Sequence, residues 1–398
     1  MTVERKIVNK RRRLLVGMAL AGTHLAGAGK SMAQVRPGSA SGPTIDVKKF
    51  GASGNGKLPD LRQVRAAIAA AAGYVGGATV YFPPGEYFLG AADDAWLLTA
   101  TNLNNVRFVG ERAMLSCKSV NGSTSMLVLA GGHNVTIEGL AFRDYGLDRN
   151  TQLGAAAIRL VNSEGTGCES IRIRDCSFES VNTGVVCRTF GDARRVRIRD
   201  ITLTNLSVTR SYYGFNFQDA GDDVVGRGLR CNDVKRSYFP YGVSNHDIEL
   251  DTSHNATGFT DVLIKCYNKD TVGLRVKVKC RAKRSGDAIV ALDQQVDKSE
   301  GVIRNIHLDL DIDDADCRLD AAILVRSFDR NQRTEAVTNR RWDAISIDGD
   351  VRICDKTKLF DIDTVSRTPG TLHIGPRLAR HPRLPRTLPG FNVIVARS

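Results

Sequence analysis

The chain has few aromatic side chains and no long apolar segment. Phe, Trp and Tyr make up 6% of its 398 residues, and the two tryptophans are Trp96 and Trp342. No part of the sequence approaches the roughly 20 consecutive apolar residues that cross a bilayer as a helix. We therefore expect no membrane span in the mature chain, and any surface built on aromatic rings must use mainly Tyr and Phe.

The sequence also lacks the usual signatures of a metal or nucleic-acid site. Its nine cysteines include no CxxC pair and no Cys/His cluster, which argues against structural zinc, and no nucleic-acid-reading motif is present. We predict no metal, no cofactor and no nucleic-acid partner. An odd cysteine count leaves at least one thiol unpaired. Five cysteines in or beside apolar runs are predicted to be buried small hydrophobes: Cys168, Cys176, Cys187, Cys266 and Cys280.

The start of the chain, in contrast, is rich in positive charge. A run Arg11-Arg12-Arg13, a weakly apolar stretch over residues 14–28 and a small-residue exit ending at Ala33 have the three-part layout of an export signal. The consecutive arginines resemble those of a bacterial twin-arginine signal, and an ordinary Sec signal is the alternative. We predict a cleaved signal peptide over residues 1–33, a linker over residues 34–44 and a periplasmic or secreted bacterial protein.

The rest of the chain repeats two kinds of short strand pattern. The first kind alternates apolar and polar residues, as a half-buried strand does. Its members are residues 104–108, 133–137, 170–173, 195–198, 261–264, 305–308 and 344–347. The second kind falls between them, at residues 127–129, 157–160, 184–187, 214–217, 242–244, 288–291 and 322–325.

The spacing of the second kind predicts the fold. Leu127, Ile158, Val185, Phe215 and Val243 follow one another at intervals of 31, 27, 30 and 28 residues. Near-constant spacing with variable loops is typical of stacked coils, whereas a sandwich lacks this longer period. We predict an all-β fold: a right-handed, single-stranded parallel β-helix over residues 45–375. A helix over residues 62–72 caps its N-terminal end, and a Pro/Arg-rich tail over residues 376–398 runs along its outside.

The N-terminal segment resembles a known family. Residues 45–52, the glycines of 54–56, the Ala-rich helix and residues 76–87, which contain Pro83-Pro84-Gly85, are similar to the N-terminal signature of the pectate-lyase-like β-helix superfamily. That superfamily includes polygalacturonase-like hydrolases, polysaccharide lyases, epimerases and phage tailspikes. The resemblance implies the β-helix fold and a polysaccharide as partner. The aspartates and threonine that usually precede the helix are replaced by Pro59-Asp60-Leu61, in a capping turn that bears little on function.

Several strands of the second kind end in polar residues at matching positions. We align them on their leading glycines, Gly184, Gly214 and Gly242. The alignment places Arg188, Gln218 and His246 in one column and Thr189, Asp219 and Asp247 in the next. Stacked coils lie ~4.8 Å apart, so the two aspartates of the second column are predicted to approach the ~5 Å separation of retaining glycosidases. Asp222 or Asp223 would give the wider inverting separation.

The segment 214–223 carries a further resemblance. Its Gly221-Asp222-Asp223 is similar to the paired-aspartate motif of polygalacturonase-type hydrolases, which implies one acid to protonate the leaving group and others to activate water. The Gly-His-Gly and Arg-Ile-Lys elements of those hydrolases are not visible, so the mechanism is not carried over whole. Asx turns at a coil corner are the alternative role. The predicted catalytic residues are Asp219, Asp222, Asp223 and Asp247.

Basic residues and tyrosines crowd residues 227–246. A lyase acting on a uronic-acid polymer needs a group that neutralises the carboxylate and a base that removes the neighbouring proton, and these residue types supply both. Calcium is the alternative neutraliser for a lyase, with Asp219, Asp222 and Asp223 as ligands, although no EF-hand-like spacing supports it. A solvated coil face is the alternative role. The predicted substrate-binding residues are Arg188, Gln218, Arg230, Lys235, Arg236, Tyr238 and His246.

These patterns favour an exported enzyme that cleaves a long polysaccharide, acidic or neutral, in a groove along the β-helix. Glycoside hydrolysis is preferred because four aspartates converge in the alignment. β-Elimination is the alternative chemistry, and a non-catalytic glycan-binding protein is the contrasting hypothesis, because one scaffold hosts both. Aromatic candidates for sugar stacking are Tyr212, Tyr213, Tyr238 and Tyr241.

Overall fold

The structure is a computed structural model that describes eleven stretches of the chain: residues 42–93, 95–121, 123–163, 165–189, 197–254, 259–266, 269–283, 285–295, 301–328, 342–363 and 369–396. The predicted signal peptide and residues 34–41 of the predicted linker lie outside the described residues. Neither α-helix in the described part of the chain has the length and apolar character needed to cross a bilayer.

The described chain is built mainly from β-strands. The first nine are β1 Thr44–Asp46, β2 Asn55–Pro59, β3 Ala78–Phe82, β4 Gly85–Asp93, β5 Trp96–Asn104, β6 Val106–Asn121, β7 Ser123–Asp144, β8 Gly154–Val161 and β9 Cys168–Arg174. The next nine are β10 Ser177–Glu179, β11 Thr183–Arg188, β12 Arg199–Thr204, β13 Ser207–Thr209, β14 Tyr213–Gln218, β15 Asp222–Asn232, β16 Arg236–Tyr241, β17 Ser244–His254 and β18 Val262–Cys266. The last eight are β19 Thr271–Ala282, β20 Gly286–Gln295, β21 Ile303–Asp314, β22 Leu319–Phe328, β23 Asp343–Ile353, β24 Lys358–Asp363, β25 Gly370–Ile374 and β26 Phe391–Val395. The helices are α1 Leu61–Ala72 and α2 Pro376–Ala379, and a 3-10 turn spans Val47–Phe50.

The strands pair in parallel and form three faces, which we call sheets A, B and C. Sheet A runs through β1, β3, β6, β7, β9, β12, β15, β17, β19, β21, β23, β25 and β26. Sheet B runs through β2, β4, β6, β7, β10, β13, β15, β17, β19, β21 and β23. Sheet C runs through β5, β7, β8, β11, β14, β16, β18, β20, β22 and β24. This is the predicted right-handed parallel β-helix, the hand that parallel crossovers almost always take.

The core lies inside the three sheets. In sheet C, for example, the inward residues Val185, Phe215, Tyr238 and Val262 occupy one column across successive coils and are buried. Each such side chain contributes roughly 1.5–3 kcal/mol by leaving water. The five cysteines predicted to be buried are all buried. The sequence did not predict the disulfide between Cys317 and Cys354.

A column of left-handed residues forms one corner of sheet A. Its Asn and Asp members stack across coils with φ between 53° and 60°, a conformation that these short polar residues tolerate. Their amides and carboxyls also link the coils, since Asn134 Nδ2 donates to Asn105 Oδ1 at 2.8 Å and Asn245 Nδ2 donates to Asp223 Oδ1 at 2.9 Å. The column consists of Asn105, Asn134, Ser170, Asp200, Asp223, Asn245, Gly273, Asn305 and Ala344.

The two ends of the coil stack are closed by short segments. Helix α1 confirms the predicted N-terminal cap, because Val64 and Ile68 are buried against the first coils. The C-terminal tail differs from the prediction. Strand β26 pairs with β25 and extends the β-helix beyond residue 375, and Leu378 and Phe391 are buried against the last coils. These apolar residues lie between the Pro and Arg residues that suggested an external tail.

The strand register departs from the prediction at one short coil. The sheet C strand after β14 is β16, so Gln218 pairs with Tyr241 and the predicted segment 242–244 lies outside that sheet. The predicted first-kind segment 261–264 also belongs to sheet C, through β18. Gly242 misled the alignment. Gly242 lies at a coil corner with φ +62°, and a Cβ atom at this position would lie 2.2 Å from Asp219 Oδ1. The position requires glycine because two coils approach each other closely there.

Candidate functional site

A cleft lies at the corner between sheets C and A. It has a volume of about 410 Å³, and we call it the corner cleft. Its charged and hydroxyl-bearing lining residues are Thr189, Arg197, Asp219, Asp222, Ser244, Lys269 and Asp270. Two of the four predicted catalytic aspartates, Asp219 and Asp222, therefore meet in one cleft.

Each of these two aspartates also has a place in the coil corner. Asp222 Oδ1 accepts hydrogen bonds from the backbone N and the Oγ of Ser244, both at 2.9 Å. Asp219 has φ +52°, and its carbonyl oxygen accepts from Lys269 Nζ at 2.7 Å. These bonds join three successive coils, so they hold the carboxyl group of Asp222 and the backbone of Asp219 at the wall of the cleft.

The other two predicted aspartates lie outside the corner cleft. Asp223 is exposed and belongs to the left-handed column of sheet A, where it binds Asn245. Asp247 pairs in register with Val225 of sheet A, and its Oδ2 accepts from Arg227 Nη2 at 2.6 Å. The predicted stacking of Asp219 on Asp247 is therefore wrong, because the register that placed them in one column started from the corner glycine Gly242.

Two predicted substrate-binding residues lie in the interior. Tyr238 and His246 are 0% and 1% exposed, and the tyrosine hydroxyl bonds His246 Nδ1 at 2.5 Å. Burial lowers the pKa of His246 to about 4, so the ring is neutral at physiological pH. Neither side chain reaches a ligand on the surface. We therefore correct the prediction that Tyr238 and His246 bind substrate. Their polar atoms form a hydrogen bond with each other inside the coil stack.

The remaining predicted basic residues fall on different faces. Arg230 is exposed on sheet B, where it pairs with Ser207 and Asp251, and it is remote in register from the sheet C positions. Lys235 donates to the carbonyl oxygen of Arg149 at 2.6 Å and lies over the rings of Tyr212 and Phe259. Burial and the charge of Arg149 lower the pKa of Lys235.

The outer face of sheet C carries a column of polar side chains, which we call the polar ladder. It is formed by the residues at the end of each strand's apolar run, so that neighbours in the ladder are one coil, ~4.8 Å, apart. Along the β-helix the ladder reads Arg188, Gln218, Tyr241, Lys265, Asp293, Arg326 and Asp363. The prediction for Arg188 and Gln218 places them correctly side by side, and their true neighbour is Tyr241 rather than His246.

An apolar floor runs beside the polar ladder. Phe239, Leu263 and Ala291 form a buried cluster separate from the main core, with Tyr213, Tyr241 and Leu324 packed against it. Tyr213 and Phe239 stack with ring centroids 5.8 Å apart, and Arg236 lies 5.4 Å over the Phe239 ring. The rings of Tyr213 and Tyr241, which are partly exposed at the border of this cluster, are of the kind on which a sugar ring packs.

The most deeply buried member of the ladder is Asp293, which is 1% exposed. Its Oδ2 accepts from Arg326 Nη2 at 3.2 Å, and its Oδ1 has no hydrogen-bond partner among the residues that the structure describes. Burial raises the pKa of Asp293, while the charges of Lys265, Arg326 and Arg236 oppose that rise. A carboxyl group whose pKa is raised by burial is suited to hold and deliver a proton.

Sequence reasoning missed Asp293, Lys265 and Arg326, although the sequence contains a signal for them. Each follows a run of apolar residues in its sheet C strand, at residues 262–264, 288–292 and 321–325. A polar residue that ends each of several repeated apolar runs marks an outward column on one face of the coil stack.

The described residues contain no group of three His, Cys, Asp or Glu side chains placed to hold a metal ion. Asp222 and Asp223, two of the three ligands considered for calcium, instead bond to Ser244 and Asn245 on neighbouring coils.

Comparison with known proteins finds matches among solved structures alone. No family model matches the chain, and no curated protein matches it. The A-module of the Azotobacter vinelandii mannuronan C-5 epimerase AlgE6 is similar over 88% of this chain and 98% of its own, at 17% identity and a TM-score of 0.37. An iota-carrageenase complexed to iota-carrageenan fragments is similar over 87% and 95%, at 11% identity and a TM-score of 0.45. The Streptococcus pneumoniae surface adhesin PfbA is similar over 83% and 85%, at 12% identity and a TM-score of 0.38. At this level of similarity the three proteins do not assign an activity to the chain.

Proposed function

We propose that this protein binds a polysaccharide along the outer face of sheet C and hydrolyses its glycosidic bonds. The observation that carries the proposal is Asp293, a buried carboxyl group with a raised pKa that lies in line with the polar ladder and beside the apolar floor. A glycosidase needs such a carboxyl group, kept protonated until it reaches the leaving oxygen.

The ladder runs along the axis of the coil stack and therefore suits a long ligand. Arg188, Gln218, Tyr241, Lys265 and Arg326 offer donors and acceptors at intervals of about one coil. The partly exposed rings of Tyr213 and Tyr241, which pack on the buried Phe239 and Leu263, supply apolar contacts beside the ladder. A chain of sugars that lies along this face contacts the polar ladder on one side and apolar residues on the other.

The chemistry assigns a separate task to each of two ladder carboxyl groups. Asp293 donates its proton to the glycosidic oxygen as the bond from that oxygen to the anomeric carbon breaks. Water forms the new bond to that carbon and gives its proton to Asp363. Asp363 is exposed and stands two coils further along the ladder, so the two Cα atoms are about 10 Å apart.

The corner cleft offers the second pair of carboxyl groups for the same reaction. Asp219 and Asp222 lie three coils and more from Asp293, on the order of 14 Å, so the two sites are chemically independent. Substitution separates them: loss of cleavage on Asp219→Asn with retention in Asp293→Asn would move the reaction to the corner cleft.

A panel assay tests the proposal. Purified protein is incubated with acidic and neutral polysaccharides while new reducing ends and the absorbance of unsaturated uronates are both followed. We expect reducing ends without unsaturated products. Unsaturated products would instead mean β-elimination, with Lys265 or Tyr241 as the base to test next, and binding without either signal would mean a non-catalytic glycan-binding protein.

Export to the site of an external polysaccharide is part of the proposal. It is supported by the arginine run and the small-residue exit before Ala33. Replacing Arg12 and Arg13 with Lys tests the twin-arginine route: we expect the unprocessed protein to accumulate inside the cell, and unchanged export would point to the Sec alternative.

A further inference from the structure

Three cations surround the carboxyl group of Asp293. Lys265 on β18 and Arg326 on β22 are its two neighbours in the ladder, and Arg236 on β16 also acts on its charge. Tyr241, also on β16, is the remaining titratable ladder residue on this side. The cluster carries three positive charges against one negative charge when Asp293 is ionised.

The three cations are more exposed than the carboxyl group. Lys265, Arg236 and Arg326 are half-buried, and Asp293 is 1% exposed. Polar atoms at the same surface lack partners: in the described residues, Asp293 Oδ1, Arg236 Nε and Asn216 Oδ1 are buried and make no hydrogen bond. Buried polar atoms are nearly always bonded, so a cluster of unbonded ones beside an apolar floor indicates a place that a polar ligand completes.

We propose that this cluster binds a sugar ring carrying an anionic group, a carboxylate or a sulfate, and that binding of the anion places a proton on Asp293. This inference rests on the proposed function, which supplies the ligand class. It adds the charge of the substrate and the source of the catalytic proton.

The coupling follows from elementary electrostatics. Without ligand, the fields of Lys265, Arg326 and Arg236 oppose the tendency of burial to neutralise Asp293. An anion held by those cations cancels much of their field and leaves the carboxyl group buried. Burial then favours the neutral acid, and Asp293 takes a proton from solvent as the ligand binds. By linkage, affinity for the anion rises as pH falls.

The same proton completes the reaction. The acid form of Asp293 gives it to the glycosidic oxygen, the bond to the anomeric carbon breaks, and Asp293 returns to its ionised form beside Arg326. Water supplies the hydroxyl group of the new reducing end, and its proton leaves through Asp363. A neutral sugar would not cancel the cationic field, so its binding would not add a proton to the carboxyl group.

Titration calorimetry of the full chain tests the inference. The probes are an oligouronate, a sulfated galactan oligosaccharide and a neutral oligosaccharide of equal length, each titrated in two buffers that differ in ionisation enthalpy. We expect an anionic probe to bind at least about tenfold more tightly than the neutral one. We also expect proton uptake by the wild type and none by Asp293→Asn. The oligouronate and sulfate arms show which anionic group is preferred.

Charge-removing variants supply the matched comparison. Lys265→Met and Arg326→Met should each weaken binding of the anionic probe by about tenfold or more. Lys277→Met, which removes an exposed cation on a different face, should leave it unchanged. Thermal melting of each variant confirms that it is folded.

The outcomes separate this inference from the proposed function. Anion binding with proton uptake, but with no cleavage of any polysaccharide, would overturn the hydrolase and leave the inference standing. Cleavage with equal affinity for neutral and anionic probes, or proton uptake that persists in Asp293→Asn, would overturn the inference alone. Failure of every anionic probe to bind would also overturn it.

Discussion

The hydroxyl group of Tyr238 donates a hydrogen bond to Nδ1 of His246 across 2.5 Å inside the coil stack. The other ring nitrogen, Nε2, donates to the carbonyl oxygen of Gly221 at 2.6 Å, so the neutral ring satisfies both neighbours with its proton on Nε2. Gly221 lies between Asp219 and Asp222 in sequence. The buried pair therefore fixes the corner that brings those two carboxyl groups to the cleft.

This arrangement predicts a loss of stability in acid. Burial lowers the pKa of His246 to about 4, below the 6.5 of an exposed histidine. The unfolded chain therefore takes up a proton at higher pH than the folded chain, and the stabilisation present above pH 6.5 is lost as pH falls towards 4. The loss is on the order of 3 kcal/mol from this group.

Urea unfolding at several pH values between about 4 and 6.5 tests this predicted loss of stability. His246→Gln should flatten the pH dependence of the free energy of unfolding, and His133→Gln, which replaces an exposed histidine, should leave it unchanged. An equal pH dependence in wild type and His246→Gln would contradict the assignment.

A second prediction concerns Asp144, a buried carboxylate at a corner of sheet B. It accepts hydrogen bonds from Ser119 Oγ at 2.5 Å and from the backbone N atoms of Ser119, Gly146 and Ala155 at 2.9, 2.8 and 2.7 Å. Asp144→Ala leaves these donors buried without a partner, so we expect the free energy of unfolding to fall by roughly 3 kcal/mol or more.

Chemical denaturation measures this effect. The matched control is Asp148→Ala, because Asp148 bonds the exposed turn residues Asn150 and Thr151 and its loss should lower the free energy of unfolding by clearly less. Similar losses in the two variants would mean that the Asp144 bonds contribute no more than surface bonds.

The disulfide between Cys317 and Cys354 supports a third prediction. It closes a loop with a sequence separation of 37 residues, for which the loop-entropy account gives a stabilisation of about 3–4 kcal/mol. Reductant should lower the melting temperature of the wild type. It should have no effect on a variant with both residues replaced by Ser, and a wild type that melts at the same temperature with and without reductant would disprove the contribution.

A fourth prediction separates Asp247 from the reaction. Its ion pair with Arg227 is about 40% exposed on both sides, and such pairs contribute roughly 0–1 kcal/mol. We expect Asp247→Asn to retain the wild-type rate of polysaccharide cleavage and to change the free energy of unfolding by less than about 1 kcal/mol. A large fall in rate with unchanged stability would restore Asp247 to the catalytic site.

The fold was accessible from the sequence because it depends on local alternation repeated at a regular interval. Residues 157–160 and 184–187 each place apolar side chains inward on sheet C, and the structure confirms them as β8 and β11. The buried cysteines follow from the same pattern. The disulfide does not, because the pairing of two residues in different coils depends on distances that the sequence alone does not contain.

The candidate site was only partly accessible, because it depends on register between coils. Alignment on the corner glycine Gly242 placed His246 and Asp247 of sheet A in the sheet C columns, although Arg188 and Gln218 were aligned correctly. Asp293 was missed because its burial, which raises its pKa, arises from tertiary packing around an outward-facing position. The apolar run before Asp293 marks an outward position on sheet C, but nothing in the sequence shows that this position is buried.

The central claim is most directly tested by the rate of reducing-end release from one cleavable polysaccharide by Asp293→Asn. The control is Asp361→Asn, which removes a carboxyl group of sheet C that pairs with Lys358. We predict that Asp293→Asn lowers the rate by about 100-fold or more, as expected for loss of a general acid, and that Asp361→Asn stays near the wild type. A rate in Asp293→Asn equal to that of wild type, with the variant folded, would contradict the assignment of hydrolysis to this face of the β-helix.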